Sequence, residues 1–324
     1  DKYYTQHHEL TVHENVKDNL EQIVSFFDEP FADPSLVPTF FVSQLARQQV
    51  TVAVAGDGGD EVFAGYEKYS IDHIENRLRN IFPGFLRKYF FPPVEKLLSK
   101  FNNTLCKKGT TLLNSLRLEP DMGFYLSNAQ ITDNTWQKIA STETLNNLGD
   151  YHPSSITTHF YQNSDASDHL SKILYTDMKT YLPGDILVKV DRMSMANSLE
   201  VRAPLLDYTL MEFAATIPSQ FKFKNGEKKH ILKEAFKDDL PGDILYRKKM
   251  GFSVPLADWF RGEIKDLSKK AIFSSTGGLR DYFDMQGIED LWIEHQDDVK
   301  DHSTVLWSLL MFQMWWNQYM QKIA

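Results

Sequence analysis

The sequence predicts an α/β fold in which a short sheet portion gives way to a long, mostly helical one. Three observations carry this. Residues 50–66, VTVAVAGDGGDEVFAGY, pass from an apolar strand through a glycine-rich turn into a helix. The first seventy residues alternate in the order β, α, α, β, α, as an α/β sheet does. From about residue 131 onward, nearly every periodic segment has a helical period.

The elements follow in order. Residues 9–12 (ELTV) read as a short strand. Val16, Leu20, Ile23, Val24 and Phe27 fall at helical spacing, and Pro30 closes that helix. A second helix includes Pro38 in its first turn and carries Phe41 and Leu45 on one face. The strand at 50–55 comes next, then a helix from Val62. Residues 71–130 are rich in aromatics, proline and basic residues, and Pro83, Pro92 and Pro93 keep any helix there short. Leu170, Ile173, Leu174 and Tyr181 mark one later helix. Leu210, Phe213, Ala214 and Ile217 mark another, stopped by Pro218. The apolar segment 304–320 is a helix suited to the core. Two or three strands cannot make a covered parallel sheet, so the chain reads as the later part of an α/β domain.

Composition excludes several classes. The chain has 324 residues, 42% hydrophobic and 24% charged, enough for a substantial core. A net charge of −9 argues against a broad nucleic-acid or anionic-membrane footprint. The single cysteine, Cys106, cannot form an internal disulfide, which favours a reducing compartment, and no cysteine-rich metal site can form. The run LWSLLMFQMWW (306–316) falls short of the roughly 20 residues a bilayer span requires. A cytoplasmic protein with no nucleic-acid or membrane partner is the expectation.

Four segments could carry chemistry. In GDGGDE, Asp57 or Asp60 could simply cap a helix N-terminus. The same loop could equally be a Mg²⁺–nucleotide site, in which a carboxylate holds the cation and the cation makes phosphates tolerable beside acids. Neither role excludes the other. In YRKKMGFSVP, the cluster Arg247, Lys248 and Lys249 is a solvated charged face unless a polyphosphate lies between it and the acidic loop. The stretch 182–207 sets Asp185 four residues before Lys189, a helical ion pair. Its Asp191, Arg192, Glu200 and Arg202 read as an internal salt-bridge network, with Met193 and Met195 as core filler. DEPFADPS (28–35) is a turn that could also contact a ligand.

Three of these segments, in this order, resemble one family: the synthetase domain of glutamine-hydrolysing asparagine synthetases. The loop from Gly56 to Tyr66 matches its G-[DE]-G-[GS]-D-E-[LVI]-F-x-G-Y pattern. DRMSMANSLEVRAPLLD, from Asp191 to Asp207, matches its signature, and Arg247 to Phe252 matches R-x-K-x-G-F. The resemblance covers nearly the whole chain. It implies an ATP-pyrophosphatase (adenine nucleotide alpha hydrolase-like) sheet with a large helical C-terminal portion. The whole of 1–324 would be one asparagine synthase-type domain, with 1–75 its nucleotide-binding α/β part and 76–324 its helical part.

The implied reaction uses ATP and Mg²⁺ to adenylate the β-carboxylate of aspartate, or another carboxylate, and ammonia then displaces AMP. Carried over by position, Ala55, Gly56, Gly58, Gly59 and Arg247 would contact ATP, and Asp60 would bind Mg²⁺. Lys249, Asp57 and Asp185 would be the catalytic residues. The resemblance allows a homodimer. Two family features are absent from the sequence: the S-G-G-x-D-S pyrophosphate loop, and the glutaminase domain that releases ammonia. The expectation is therefore an N-terminally truncated synthetase domain, inactive by itself. A non-catalytic helical scaffold is the competing expectation.

Overall fold

The computed structural model describes residues 3–9, 11, 15–98, 100–101, 103–247, 251 and 254–321. It is mostly helical, with one small parallel pair of strands. Val52–Val54 lies beside Glu200–Arg202 in the register Val52↔Glu200, Ala53↔Val201, Val54↔Arg202. The second strand was hidden in the sequence, because its three residues sit in a charged stretch that reads as helix. Val52 and Val54 are exposed on the first strand. Phe223–Lys224 and Glu227–Lys228 form a separate antiparallel pair.

Several expected helices form within a residue or two of their expected bounds. Val16–Val24 buries Val16, Leu20, Ile23 and Val24, and the Asn15 side chain caps it by accepting from the Asp18 amide. Leu36–Arg47 places Pro38 in its first turn, where its missing N–H costs nothing. Tyr208–Thr216 starts at a side-chain cap, Asp207, which accepts from the amides of Thr209 and Leu210. After Pro83 the chain makes two short helices, Gly84–Tyr89 and Phe91–Leu98, and then the 14-residue helix Thr104–Arg117, longer than expected for this stretch because no proline falls within it. Pro92 and Pro93 stand in the first turn of the second of these, where proline is tolerated.

Other expectations are corrected. Of the strand read at 9–12, Glu9 and Thr11 are irregular, and Leu10 and Val12 lie outside the described residues. The helix read from Val62 begins at Gly59 and stops at Phe63, because Ala64 turns left-handed at φ 58°. A new helix then runs Glu67–Ile81.

The main core joins the beginning and end of the chain. Leu20, Ile23, Leu36 and Val37 pack with Phe260, Ile264, Leu306, Trp307 and Leu310, all essentially inaccessible. The C-terminal helix Ser303–Tyr319 is apolar nearly all round because it runs through this core. Met193 joins it, whereas Met195, expected beside it, is 56% exposed. A second core forms from Ala64, Tyr69, Phe124, Leu170, Ile173 and Leu174, directly behind the glycine-rich loop. No helix among the described residues is long and apolar enough to cross a membrane.

Candidate active site

The site begins where strand Val52–Val54 ends. The Ala55 amide donates to the Arg202 carbonyl at 2.8 Å, so the strand pair fixes the point at which the loop departs. Gly58 then adopts φ +81°, and a Cβ there would sit 1.9 Å from Leu206 Cδ2. Glycine is therefore demanded twice, by conformation and by the closeness of Leu206. A Cβ on Gly56 would meet nothing within 4 Å, so the loop faces open space on that side. The following helix has only five residues, Gly59–Phe63, so its dipole contributes little to anion binding.

The three acids of the loop are not equivalent. Glu61 points inward, is 1% exposed, and accepts from the Tyr66 hydroxyl at 2.6 Å. Burial raises its pKa, and the Tyr66 hydrogen bond only partly opposes that. It therefore anchors the loop to the next helix. Asp60 is mostly buried, with its Oδ1 inaccessible and 3.0 Å from Lys229 Nζ. Asp57 is raised by burial, which outweighs the opposing charge of Lys189, and the neighbouring charge of Asp60 adds to the rise.

A second charged cluster is linked to Asp57 through Lys189. Helix His169–Lys179 passes through a π-helical turn, Leu182–Ile186, into helix Leu187–Ala196. Pro183 has no N–H to give the α-helical ladder, and the Leu187 amide bonds to the Leu182 carbonyl five residues back. Asp185 sits in this turn. Lys189 lies 3.9 Å from it, but its close partner is Asp33, at 2.5 Å. The helical pair read from sequence is thus the weaker of two contacts.

The charges sort accordingly. Burial opposes ionisation of Asp33, yet the charge and hydrogen bond of Lys189, with Ser35, hold its carboxyl below the usual range. Asp185 is pushed up to about 7, by burial first and the nearby Asp33 charge second, with Lys189 opposing. Its Oδ1 is buried without a hydrogen bond. A carboxyl that titrates near neutrality, beside one held ionised, is the pattern of acid–base pairs in active sites.

Beyond Asp185 opens a cavity of about 670 Å³, lined among others by Tyr66, Lys68, Asn128, Asp177, Tyr181 and Asp185. Lys68 Nζ bonds Asp177 at 2.6 Å and Asn128 Oδ1 at 2.7 Å, and lies 4.3 Å from the Tyr181 ring centre. Tyr69 donates to the same Asp177 oxygen at 2.6 Å. These contacts tie helix Glu67–Ile81 to helix His169–Lys179 and form the wall behind the loop.

The remaining expected residues divide. Arg247 is exposed, and no described contact brings it to the loop. Lys249, with Lys248, Met250 and Phe252, lies outside the described residues. The internal network expected for Asp191, Arg192, Glu200 and Arg202 is absent. Arg192 instead pairs with Asp28 at 2.8 Å and Arg202 with Glu200 at 2.7 Å, both at the surface. Sequence reasoning missed Asp33 and Lys229 as parts of the site. DEPFADPS carried a hint for Asp33, whereas Lys229 has no local signature.

The charge of Lys189 reaches both Asp57 of the glycine-rich loop and Asp185, on a chain whose three ordered motifs match one family. The asparagine synthase family model matches residues 1–317. The chain belongs to the asparagine synthase family. It is 33% identical over 303 residues to asparagine synthetase [glutamine-hydrolyzing] 1 of Bacillus subtilis, covering 93% of this chain and 46% of that protein. A second B. subtilis asparagine synthetase, number 3, is 26% identical over 247 residues, covering 76% of this chain and 33% of its own length. The Gallus gallus asparagine synthetase is 34% identical over 134 residues, covering 40% of this chain and 20% of its own. The chain thus spans about half the length, or less, of these curated relatives.

Whether the site suits Mg²⁺ can be judged from its donors. Among the described residues, no three His, Cys, Asp or Glu side chains are grouped as a metal cage. Mg²⁺ needs no such cage: it is commonly held by one or two carboxylates, with phosphate and water oxygens supplying the rest. Asp60, in the glycine loop, fits that partial role provided its ion pair with Lys229 opens.

Proposed function

We propose that this chain carries the carboxylate-activating site of an ATP-dependent amidation, with aspartate as the acceptor. The observation that supports this is Lys189, whose charge acts on Asp57 of the glycine loop and on Asp185, in an asparagine synthase-family chain. Among the described residues each strand of the parallel pair has one strand neighbour, so each keeps an edge at which further parallel strands could pair, as an ATP-pyrophosphatase sheet requires.

In this reading the acceptor carboxylate attacks the α-phosphorus of ATP, and the bond to pyrophosphate breaks. Ammonia then attacks the acyl carbon of the adenylate, the bond to AMP breaks, and one nitrogen-bound proton is lost. Ala55, Gly56, Gly58 and Gly59 let the nucleotide approach the backbone. Asp60 would hold Mg²⁺, which supplies positive charge to the phosphate oxygens. Lys249, with Arg247 beside it, stabilises the negative charge that grows as pyrophosphate leaves. Asp185, with a pKa of about 7, accepts the proton from the attacking nitrogen. Asp57 faces the acyl group and favours the ammonium-like charge that develops there. Ammonia is released from glutamine in a glutaminase domain, a reading supported by similarity to glutamine-hydrolyzing asparagine synthetases.

Lys249→Ala in the complete gene product tests the assignment. The expected result is a loss of ATP-dependent amidation with the circular dichroism spectrum and thermal midpoint kept. Turnover equal to the wild type in a folded variant would remove Lys249 from the mechanism.

A further inference from the structure

Residues 77–117 play no part in the site, yet they differ from the rest of the chain. They hold nine lysines and arginines and one acid, Glu95, in a chain with 35 basic and 44 acidic side chains overall. Two of the arginines work inside the fold. Arg79 donates to the Ser115 carbonyl at 3.1 Å, and Arg87 to the Leu116 carbonyl at 2.9 Å. Glu95 is taken by Arg117 at 3.2 Å. Among the described residues, Arg77, Lys88, Lys100 and Lys108 are exposed and pair with no acid.

The same segment exposes apolar side chains. Ile81, Phe85, Tyr89, Phe90, Leu97 and Leu105 are each more than half accessible. Helix Gly84–Tyr89 buries no residue at all. The three helices Gly84–Tyr89, Phe91–Leu98 and Thr104–Arg117 pack on one another, and the last of them packs on Glu67–Ile81. The segment carries exposed Phe85, Phe90, Leu97 and Leu105 together with exposed Lys88 and Lys108.

We propose that this helical excursion lies on an anionic lipid surface. Short helices that mix exposed Phe, Leu and Ile with Lys and Arg are the pattern of interfacial binding. Each lysine near an anionic leaflet adds about a fivefold gain in binding. Lysine is depleted in protein–protein interfaces, which favours lipid over an acidic protein as the occupant. The overall charge of −9 does not oppose this, because attraction beyond a Debye length of about 8 Å is screened and only the facing segment counts. The contact is peripheral, since no described helix can cross a membrane.

The test is flotation of the complete gene product with vesicles of phosphatidylcholine alone and of equal parts phosphatidylcholine and phosphatidylglycerol. Binding to the anionic vesicles only, weakened by added salt, is expected. Lys88→Ala with Lys100→Ala lowers it about 25-fold. Phe85→Ser with Phe90→Ser abolishes it, and circular dichroism shows that both variants fold. No flotation of the folded wild type overturns the proposal. So does flotation that both variants retain. A complex with a second copy or an acidic protein that these substitutions break, without any vesicle binding, makes the surface a protein interface and also overturns it.

Discussion

Burial and the Asp33 charge raise the pKa of Asp185, whereas Lys189 holds that of Asp33 low. For Asp185, the folded-state pKa of about 7 lies above the ordinary 3.8, so the native protein keeps a proton that the unfolded chain releases across that interval. The stability linked to that proton is complete below pH 3.8 and is lost as pH rises to about 7. Asp185→Asn should therefore raise the thermal midpoint at pH 8 relative to the wild type and erase the difference at low pH, while amidation falls. A lower midpoint at pH 8 would show that the ionised carboxylate is stabilising. Lys189 is the counterpart. Lys189→Met leaves Asp33 buried without its cation and should cost about 3 kcal/mol in urea unfolding. Asp33→Asn in that background should recover part of the loss.

Single residues also show where sequence reading stopped. Asp57 and Asp60 were legible because glycines and acids fall together in eleven consecutive residues, Gly56 to Tyr66. Asp33 and Lys189 are 156 residues apart, and only the fold brings them into contact. Lys229 approaches Asp60 from a turn whose own sequence carries no sign of it.

At the scale of elements, the glycine loop and the π-helical turn are the two devices that aim side chains. Gly65, just past the loop helix, marks an approach as tight as that at Gly58. A Cβ there would lie 1.9 Å from Asp60 Oδ1 and 2.2 Å from Lys229 Cε. Gly65→Ala should destabilise the fold by about 2 kcal/mol through overpacking. Because the clash falls on Asp60, it should also raise the Mg²⁺ concentration needed for half-maximal amidation. An unchanged Mg²⁺ dependence would separate Asp60 from metal binding. Helices such as Val16–Val24 and Ser303–Tyr319 were readable because their apolar spacing reflects one continuous core. Strand Glu200–Arg202 was not, since three residues are too few for a period and two of them are charged. The π-helical turn was likewise hidden, because Pro183 and Gly184 read as a break rather than a continuation.

At the scale of the molecule, the core that joins the first helices to the last is remote in sequence from the loop it supports. Trp307→Ala should cost about 4 kcal/mol by leaving a cavity in that core. The folded fraction should keep its nucleotide affinity, which calorimetry with ATP would read. The α/β beginning and helical remainder were visible from periodicity. The family was visible from three motifs taken together, none of them decisive by itself.

Pyrophosphate release by the complete gene product, given Mg-ATP and ammonia with and without aspartate, tests the central claim most directly. The account predicts release that depends on aspartate and matches asparagine formed. Absence of aspartate-dependent release from a protein that still binds Mg-ATP would contradict the claim that this site activates aspartate.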